Sequence, residues 1–202
     1  MYKVVKSTDQ GLDELELDNL EKGYWLNIVA PSMEELQEIS AATKIQMDFL
    51  SAALDEEEKS RIEVDDDQIL ILVDIPFLRS NKDYDTLPLG IVVTEMGIAT
   101  ICLEPNAVTA DFGAHNSKVF STFKKTRFLF QILYKSATLY LKYIRIIIRR
   151  TDELEIHLPK GSVSAQQLHC ARASAASAQC YAVPAPRQGL RGGRGFARRR
   201  YH

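Results

Sequence analysis

The sequence predicts an α+β or mixed α/β layered domain, followed by a long amphipathic helix and a disordered basic tail. The first 105 residues show strand-like segments, then two helix-like segments, then strand-like segments again. From about residue 120 the apolar residues recur with helical spacing, and beyond residue 156 this periodicity disappears. The predicted division is a mixed α/β domain over 1–114, amphipathic helices that complete it over 115–156, and a low-complexity tail over 157–202.

The N-terminal part supplies strands and then a capped helix. "YKVVKS" and "GYWLNIVA" are rich in β-branched and aromatic residues, as is typical of strands. "DELELDNL", which lies between them, fits either a strand or a loop. Ser32 and Glu35 then form the Ser-x-x-Glu pattern of a capping box. This pattern predicts a helix on which Met33, Leu36 and Ile39 share one face.

A second short helix and two hairpins are predicted next. The helix covers "QMDFLSAAL", and we expect Phe49, Leu50, Ala53 and Leu54 to face the core. In "RIEVDDDQILILVDIPFL" a turn of three aspartates precedes a β-rich run, and in "LPLGIVVTEMGIATICLE" two apolar runs flank the turn "EMG". Cys102 lies in the last of these runs, and we expect it to be a small core residue with an inert thiol.

The predicted long helix carries an apolar stripe with helical spacing. We expect this stripe to pack against the core or against another helix, because its members recur every three or four residues. The opposite face is basic and includes Lys142, Arg145 and Arg149. The stripe comprises Leu133, Ala137, Tyr140, Leu141, Ile144, Ile147 and Ile148.

Charge divides the chain abruptly near residue 156. Residues 1–156 hold all 27 acidic residues and 17 of the 25 basic ones, a formal charge of −10, whereas residues 157–202 hold eight basic residues and no acidic one. A segment of this composition buries too little apolar surface to fold. Two explanations are open: a basic Arg/Gly tail that contacts nucleic acid or anionic surfaces, or a reading frame that slipped near residues 156–159. The frame slip is preferred, because it also explains why the helical pattern stops in mid-course.

The stretch "ALDEEEKSRIE" contains the candidate cation site. Its acid run, which we define as Asp55, Glu56, Glu57 and Glu58, has two interpretations. The simpler one is a solvated helix end that leads into a turn. The alternative is loose sensing of a divalent cation, since Mg²⁺ keeps several waters and takes only one or two carboxylates. Four adjacent carboxylates cannot all converge on one ion, so any binding there is expected to be weak.

Other chemistry is poorly supported. The four histidines are scattered without zinc spacing, and "GGRGF" lacks the Lys-Ser/Thr ending of a phosphate loop, so we expect no enzyme. No apolar run reaches the roughly 20 residues that cross a bilayer, and "MYKVVKSTDQ" lacks the apolar core of a signal peptide, so a cytoplasmic chain is expected. The alternative function is a binding module whose basic tail contacts RNA. Its candidate residues are Arg191, Arg194, Arg198, Arg199 and Arg200.

The serial order of several motifs resembles a known family. Trp25 and Asn27 in "YWLNI" come first, followed by the "ALDEEEKSRIE" block, "PLGIVV" and "RFLFQILYKSATLYLKYIRII". In this order they resemble the cytoplasmic N-terminal domain of CorA magnesium transporters, over about residues 1–156. The resemblance implies an α/β fold, a three-layer α/β/α domain with a mixed sheet, set below the membrane in a ring of five protomers. It also implies a stalk helix, two transmembrane helices and a Gly-Met-Asn pore motif, none of which is found in these 202 residues.

The resemblance further implies a regulatory role for Mg²⁺, with Co²⁺ or Ni²⁺ less favoured as ligands. In the family, carboxylates at protomer boundaries bind the ion and hold the channel shut. Alignment on "R-I-E" places these carboxylates at about Ser51 and Ala52, neither of which is charged. The acid run begins three residues later, and it is the candidate to take over the role in a shifted form. The implied partners are therefore divalent cations and further copies of the chain, with the membrane reached only through the missing helices and no nucleic acid expected.

Overall fold

The computed structural model describes residues 1–79 and 83–157, without the side chains of Ala114 and residues 155–157. Residues Met1–Ile147 form one compact unit, and the described part of the second unit, 148–157, consists of the last turns of a helix. In chain order the elements are β1 (Tyr2–Thr8), β2 (Gly11–Leu15), β3 (Tyr24–Val29), α1 (Met33–Thr43), α2 (Met47–Ala52), β4 (Arg61–Asp65), β5 (Gln68–Leu78), β6 (Tyr84–Val93), β7 (Gly97–Cys102), two 3-10 turns (Thr109–Asp111 and Ala114–Asn116) and α3 (Lys125–His157).

Seven strands form one mixed sheet. Their order is β2-β1-β3-β7-β6-β5-β4, and only the central pair, β3 and β7, is parallel. The antiparallel neighbours include both predicted hairpins, β4–β5 and β6–β7. The segment "DELELDNL", which fitted either a strand or a loop, contributes the end of β2 at one edge of the sheet and then a loop. The predicted mixed sheet is confirmed.

One face of the sheet is covered by α1 and α2. The capping box opens α1 as predicted: the Glu35 amide donates to Ser32 Oγ at 3.2 Å, and the Ser32 amide donates to Glu35 Oε2 at 2.9 Å. Leu36, Ile39, Phe49, Leu50 and Ala53 are buried against the sheet, and Leu54 packs at the margin of this cluster. Met33 was expected on the same face but is 61% exposed. It occupies the first position of the helix, which lies outside the arc that reaches the sheet.

The other face is covered by α3, which begins at Lys125 rather than near residue 120. Phe128 and Ile132 of α3 are fully buried, and Ser136 and Leu139 continue the same face. Helices therefore lie on both sides of the sheet, and the predicted three-layer architecture is confirmed. The start of α3 is fixed by Lys125, whose ammonium group donates to the Thr94 and Glu95 carbonyls at 2.7 and 2.8 Å.

The predicted apolar stripe of α3 coincides only in part with its buried face: Leu133 packs against the core cluster and Ile144 is half-buried, but other members are exposed. Leu141, Ile147 and Ile148 are 42%, 37% and 43% exposed, and Ala137 is also exposed. Tyr140 is half-buried: its hydroxyl donates to the Asp74 carbonyl at 3.1 Å, and burial, aided by the Asp74 charge, raises its pKa to about 12. The phase of the helix is set by Phe128 and Ile132, which pack against the sheet and the residues before α3.

The predicted disordered tail over 157–202, with its candidate RNA-contacting arginines, lies outside the described residues but for its first position. Across the described ranges, no helix combines the length and the apolar character needed to span a bilayer.

Candidate functional site

Trp25 and Asn27, which carried the family resemblance, have structural roles at the centre of the sheet. Trp25 Nε1 donates to Thr100 Oγ1 at 2.9 Å, and the Thr100 hydroxyl in turn donates to Asn27 Oδ1 at 2.9 Å. These bonds join β3 to β7. Most residues of β3 and all residues of β7 are buried. Because a buried polar group without a partner is costly, the chain of bonds favours this one register of the parallel pair.

The acid run forms a turn between α2 and β4. The helix ends at Ala52, and the next two residues pack inward: Ala53 is fully buried and Leu54 is half-buried. The chain therefore leaves the core at Asp55. Asp55, Glu56 and Glu57 are exposed, whereas Glu58 is half-buried. The structure thus places these acids in a solvated turn beyond the helix.

The carboxylates of the acid run point to different partners. Asp55 Oδ1 accepts from the Glu57 amide at 3.0 Å, which closes a small turn inside the run. Glu58 Oε1 accepts from the Lys59 amide at 3.1 Å and forms an ion pair with Arg61. The Arg61 guanidinium also contacts Glu63 at 3.2 Å. Local hydrogen bonds and Arg61 therefore draw these carboxylates apart instead of gathering them at one point.

Arg79 contacts three acids, one of them Glu56 of the acid run, and the sequence analysis missed their convergence. Its Nε donates to Asp85 Oδ2 at 2.7 Å, its Nη2 lies 3.6 Å from Glu56 Oε2, and its Nη1 lies 3.9 Å from Glu104 Oε1. A hydrogen bond from the Thr86 amide, and then the Arg79 guanidinium, hold the pKa of Asp85 below its ordinary value. Contact with the same acids, Asp85 first, raises the pKa of Arg79. We call these four residues the Arg79 cluster.

The described residues do not assemble a metal-binding set of their own. Among them, no group of three or more His, Cys, Asp or Glu side chains is arranged to hold an ion. Ser51, at the position that the resemblance assigns to a sensing carboxylate, instead donates its hydroxyl to the Asp48 carbonyl at 3.2 Å within α2. Direct contact of a cation with the acid run would therefore be limited to one or two carboxylates.

Cys102 is buried at the end of β7, as expected. Burial raises the pKa of its thiol, which keeps it protonated and unreactive. The cysteine therefore belongs to the core and offers no nucleophile.

Comparison with known proteins identifies the family. The sequence profile described as "CorA-like Mg2+ transporter protein" matches residues 21–178. The chain belongs to this family. The Cobalt/magnesium transport protein CorA of Methanocaldococcus jannaschii is 31% identical over 150 residues, which cover 71% of this chain and 45% of that protein. The chain thus spans about half the length of this CorA relative.

Solved CorA-type structures share the fold. The complete CorA of M. jannaschii superposes with a TM-score of 0.70 at 22% identity, covering 81% of this chain and 53% of that one. Its soluble domain gives 0.66 at 22% identity, covering 81% of this chain and 66% of that one. The ZntB cytoplasmic domain from Vibrio parahaemolyticus gives 0.65 at 11% identity, covering 86% and 70%. The predicted resemblance to a CorA N-terminal domain is confirmed, and the acid run remains a predicted site.

Proposed function

We propose that this chain is the regulatory N-terminal domain of a CorA-type divalent-cation transporter. In the intact protein it would lie at the cytoplasmic face of the membrane in a homopentamer. The observation that carries the proposal is the family match across residues 21–178, which includes the acid run and most of the sheet. The name of the relative from M. jannaschii supports Mg²⁺ and Co²⁺ as the transported ions. The domain acts as a sensor and has no catalytic role.

The acid run is the element of this domain proposed to respond to Mg²⁺. Residues 1–156 carry a formal charge of −10, so bringing several copies together concentrates like charge. A divalent cation relieves this repulsion and can bridge two chains through carboxylate oxygens. Asp55 and Glu57 suit this role, because both are exposed and neither is in an ion pair within the described part of the chain. Binding through one or two carboxylates and several waters is weak, which suits a sensor of an abundant ion.

A thermal titration tests the proposed cation response. Mg²⁺ that binds the folded chain raises its Tm by mass action, so we expect Tm to rise as MgCl₂ increases from zero to tens of millimolar at fixed ionic strength. The double substitution Asp55→Ala with Glu57→Ala, which removes the two acids of the run that are in no ion pair among the described residues, should reduce this rise. An unchanged Tm across the whole titration would contradict the sensing role.

A matched control separates the site from net charge. Glu16 and Asp67 are exposed and form no ion pair among the described residues, so Glu16→Ala with Asp67→Ala removes the same two charges elsewhere. This control should retain the rise in Tm that the unaltered chain shows. An equal reduction in both double variants would mean that Mg²⁺ acts on the overall charge and not on the acid run.

A change of reading frame near residues 156–159 is our proposal for the unusual composition of the last part of the chain. The complete loss of acidic residues after residue 156 supports it. The family match continues to residue 178, past the proposed change of frame, and this observation counts against a slip at residues 156–159. The encoding DNA tests it: another frame beyond residue 156 should encode acidic helices, apolar spans and Gly-Met-Asn. The absence of all three from both other frames would refute the frame slip.

A further inference from the structure

Within the described part of the chain, the helical cover on the α3 side of the sheet ends before the edge strand β4. Ile91 of β6, Ile71 of β5 and Ile62 of β4 lie opposite one another across three strands, so their side chains share one face of the sheet. Ile91 is fully buried in the cluster that contains Phe128 of α3, Ile71 is half-buried, and Ile62 is 67% exposed. The cover that α3 gives the sheet therefore fades across these strands and does not reach β4.

The outer strands consequently present an apolar surface that the described residues leave open. Val64 of β4 is 66% exposed on the same face as Ile62, and Ile69 of β5, which lies opposite Val64, is also exposed. We call these three residues the β4–β5 patch. Exposed β-branched side chains on an edge strand favour contact with another chain, because burying them removes apolar surface from water.

A second exposed apolar surface, which we call the outer stripe, runs along α3. Its members recur at intervals of four, three and four residues, which places them on one face of the helix. This face begins two residues after Phe128, about 200° around the helix from the side that packs on the sheet. The outer stripe therefore points away from the sheet and cannot reach the β4–β5 patch of its own chain. Its four members are all exposed: Phe130, Tyr134, Ala137 and Leu141.

The two surfaces differ in charge. Residues 125–147 contain five basic residues and no acidic one, whereas residues 62–78 contain five acidic residues and no basic one. Arg127 and Arg145 are exposed beside the outer stripe, and their separation of 18 residues, about five turns, places them on the same side of α3. Asp67 is exposed in the turn at the end of the β4–β5 patch. Among the described residues none of these three side chains forms an ion pair, so their charges are available to a neighbour.

We propose that the outer stripe of α3 docks on the β4–β5 patch of a second copy of this chain. The contact is head-to-tail, so each copy offers its stripe to one neighbour and its patch to another. The docked helix extends the helical cover over the strands that α3 of the same chain leaves bare, and it brings a basic surface to an acidic one. Contact between two outer stripes would instead bring like charges together. The proposal names the surfaces through which copies meet; in this it rests on the proposed assembly of several copies, and it does not depend on the cation response.

Charge reversal on each surface, followed by mixing, tests the docking. The α3 variant carries Arg127→Glu with Arg145→Glu, and the patch variant carries Val64→Lys with Asp67→Lys. The contact is small, so sedimentation of the full 202-residue chain should show monomers at about 1 µM and association at about 10–100 µM. Either variant alone should associate at least about tenfold more weakly, because like charges then face each other. An equimolar mixture should restore association, since each reversed surface then meets its complement, and this rescue is not expected of variants that fail to fold.

A matched control separates the contact from net charge. Lys118 and Lys124 are exposed and precede α3, so Lys118→Glu with Lys124→Glu reverses two positive charges away from the outer stripe and should associate like the unaltered chain. A chain that stays monomeric throughout, a loss in only one of the two variants, or a mixture that fails to recover would overturn the contact. Association that both variants retain would overturn it as well, while the proposed assembly of copies would stand. The thermal titration with Mg²⁺ reports the sensing function separately, and its failure would leave the contact intact.

Discussion

Replacing Phe128 with alanine tests how α3 is fixed on the sheet. Phe128 is fully buried, and its ring centre lies 5.2 Å from those of Trp25, Phe112 and Phe120. Removing a buried Phe side chain costs about 3–5 kcal/mol of the free energy of unfolding. Contacts with three aromatic rings place this site in the upper half of that range, at about 4 kcal/mol. For a chain of this size each kcal/mol lowers Tm by about 2–4 °C, so the expected loss is about 8–16 °C.

Trp25 makes the Phe128 prediction simple to measure. It is the only tryptophan of the chain, and it lies in the same cluster, so its fluorescence reports the unfolding of this face of the sheet directly. Urea unfolding followed at Trp25 should show a lower midpoint with an unchanged slope. Phe130→Ala, on the same helix but 64% exposed, is the matched control and should change stability by less than about 0.5 kcal/mol. Equal losses in the two variants, or a loss below about 1 kcal/mol for Phe128→Ala, would refute the packing of α3 described above.

Two further predictions concern buried hydrogen bonds and acid stability. Thr100→Val removes the hydroxyl that joins Trp25 Nε1 to Asn27 Oδ1, so denaturant unfolding should show a loss of about 1–3 kcal/mol, whereas Thr100→Ser should retain most of the stability. A hydrogen bond from the N-terminal ammonium lowers the pKa of Glu35, one from the Thr86 amide lowers that of Asp85, and one from Lys22 lowers that of Glu95. Groups whose pKa falls on folding stabilise the fold above their ordinary values of 4.5 for Glu and 3.8 for Asp, and this stabilisation is lost as pH falls through the lowered values. Denaturation midpoints should therefore drop between about pH 5 and pH 3. The drop should be less steep in Glu35→Gln, which keeps the capping geometry. Parallel curves for the two proteins would contradict the role of Glu35.

The elements that the sequence predicted well are those specified by short-range chemistry. Ser32 and Glu35 are three residues apart, and the two hydrogen bonds that they form are decided within one helical turn. The turn at Asp66 and Asp67 and the turn before Gly97 likewise join strands that are adjacent along the chain. Local residues suffice to predict such features, and they gave the correct succession of strands and helices.

The errors concern features that depend on distant residues. Apolar side chains occur around most of α3 between residues 128 and 148, so their spacing alone allowed more than one buried face. The face was chosen by the aromatic cluster, in which Trp25 lies about a hundred residues before Phe128. The spacing of apolar residues also predicted that the helix begins at about Phe120. Phe120 instead packs into this cluster ahead of the first turn of α3.

The candidate site was predicted only in part for the same reason. The acid run is recognisable as four consecutive acidic residues, and its exposure to solvent was expected from its charge. The Arg79 cluster joins residues 56, 79, 85 and 104, and no spacing rule connects them before the sheet has formed. The sequence alone therefore could not predict that Glu58 pairs with Arg61 and Glu56 with Arg79.

Hydrogen exchange of the unaltered chain, with and without Mg²⁺ at equal ionic strength, tests the central claim most directly. If the acid run of this CorA domain senses the ion, amides at residues 55–58 should exchange more slowly in Mg²⁺, while those of the buried strand β7 should not change. Identical exchange at residues 55–58 in the two conditions, or protection confined to other parts of the chain, would contradict the account.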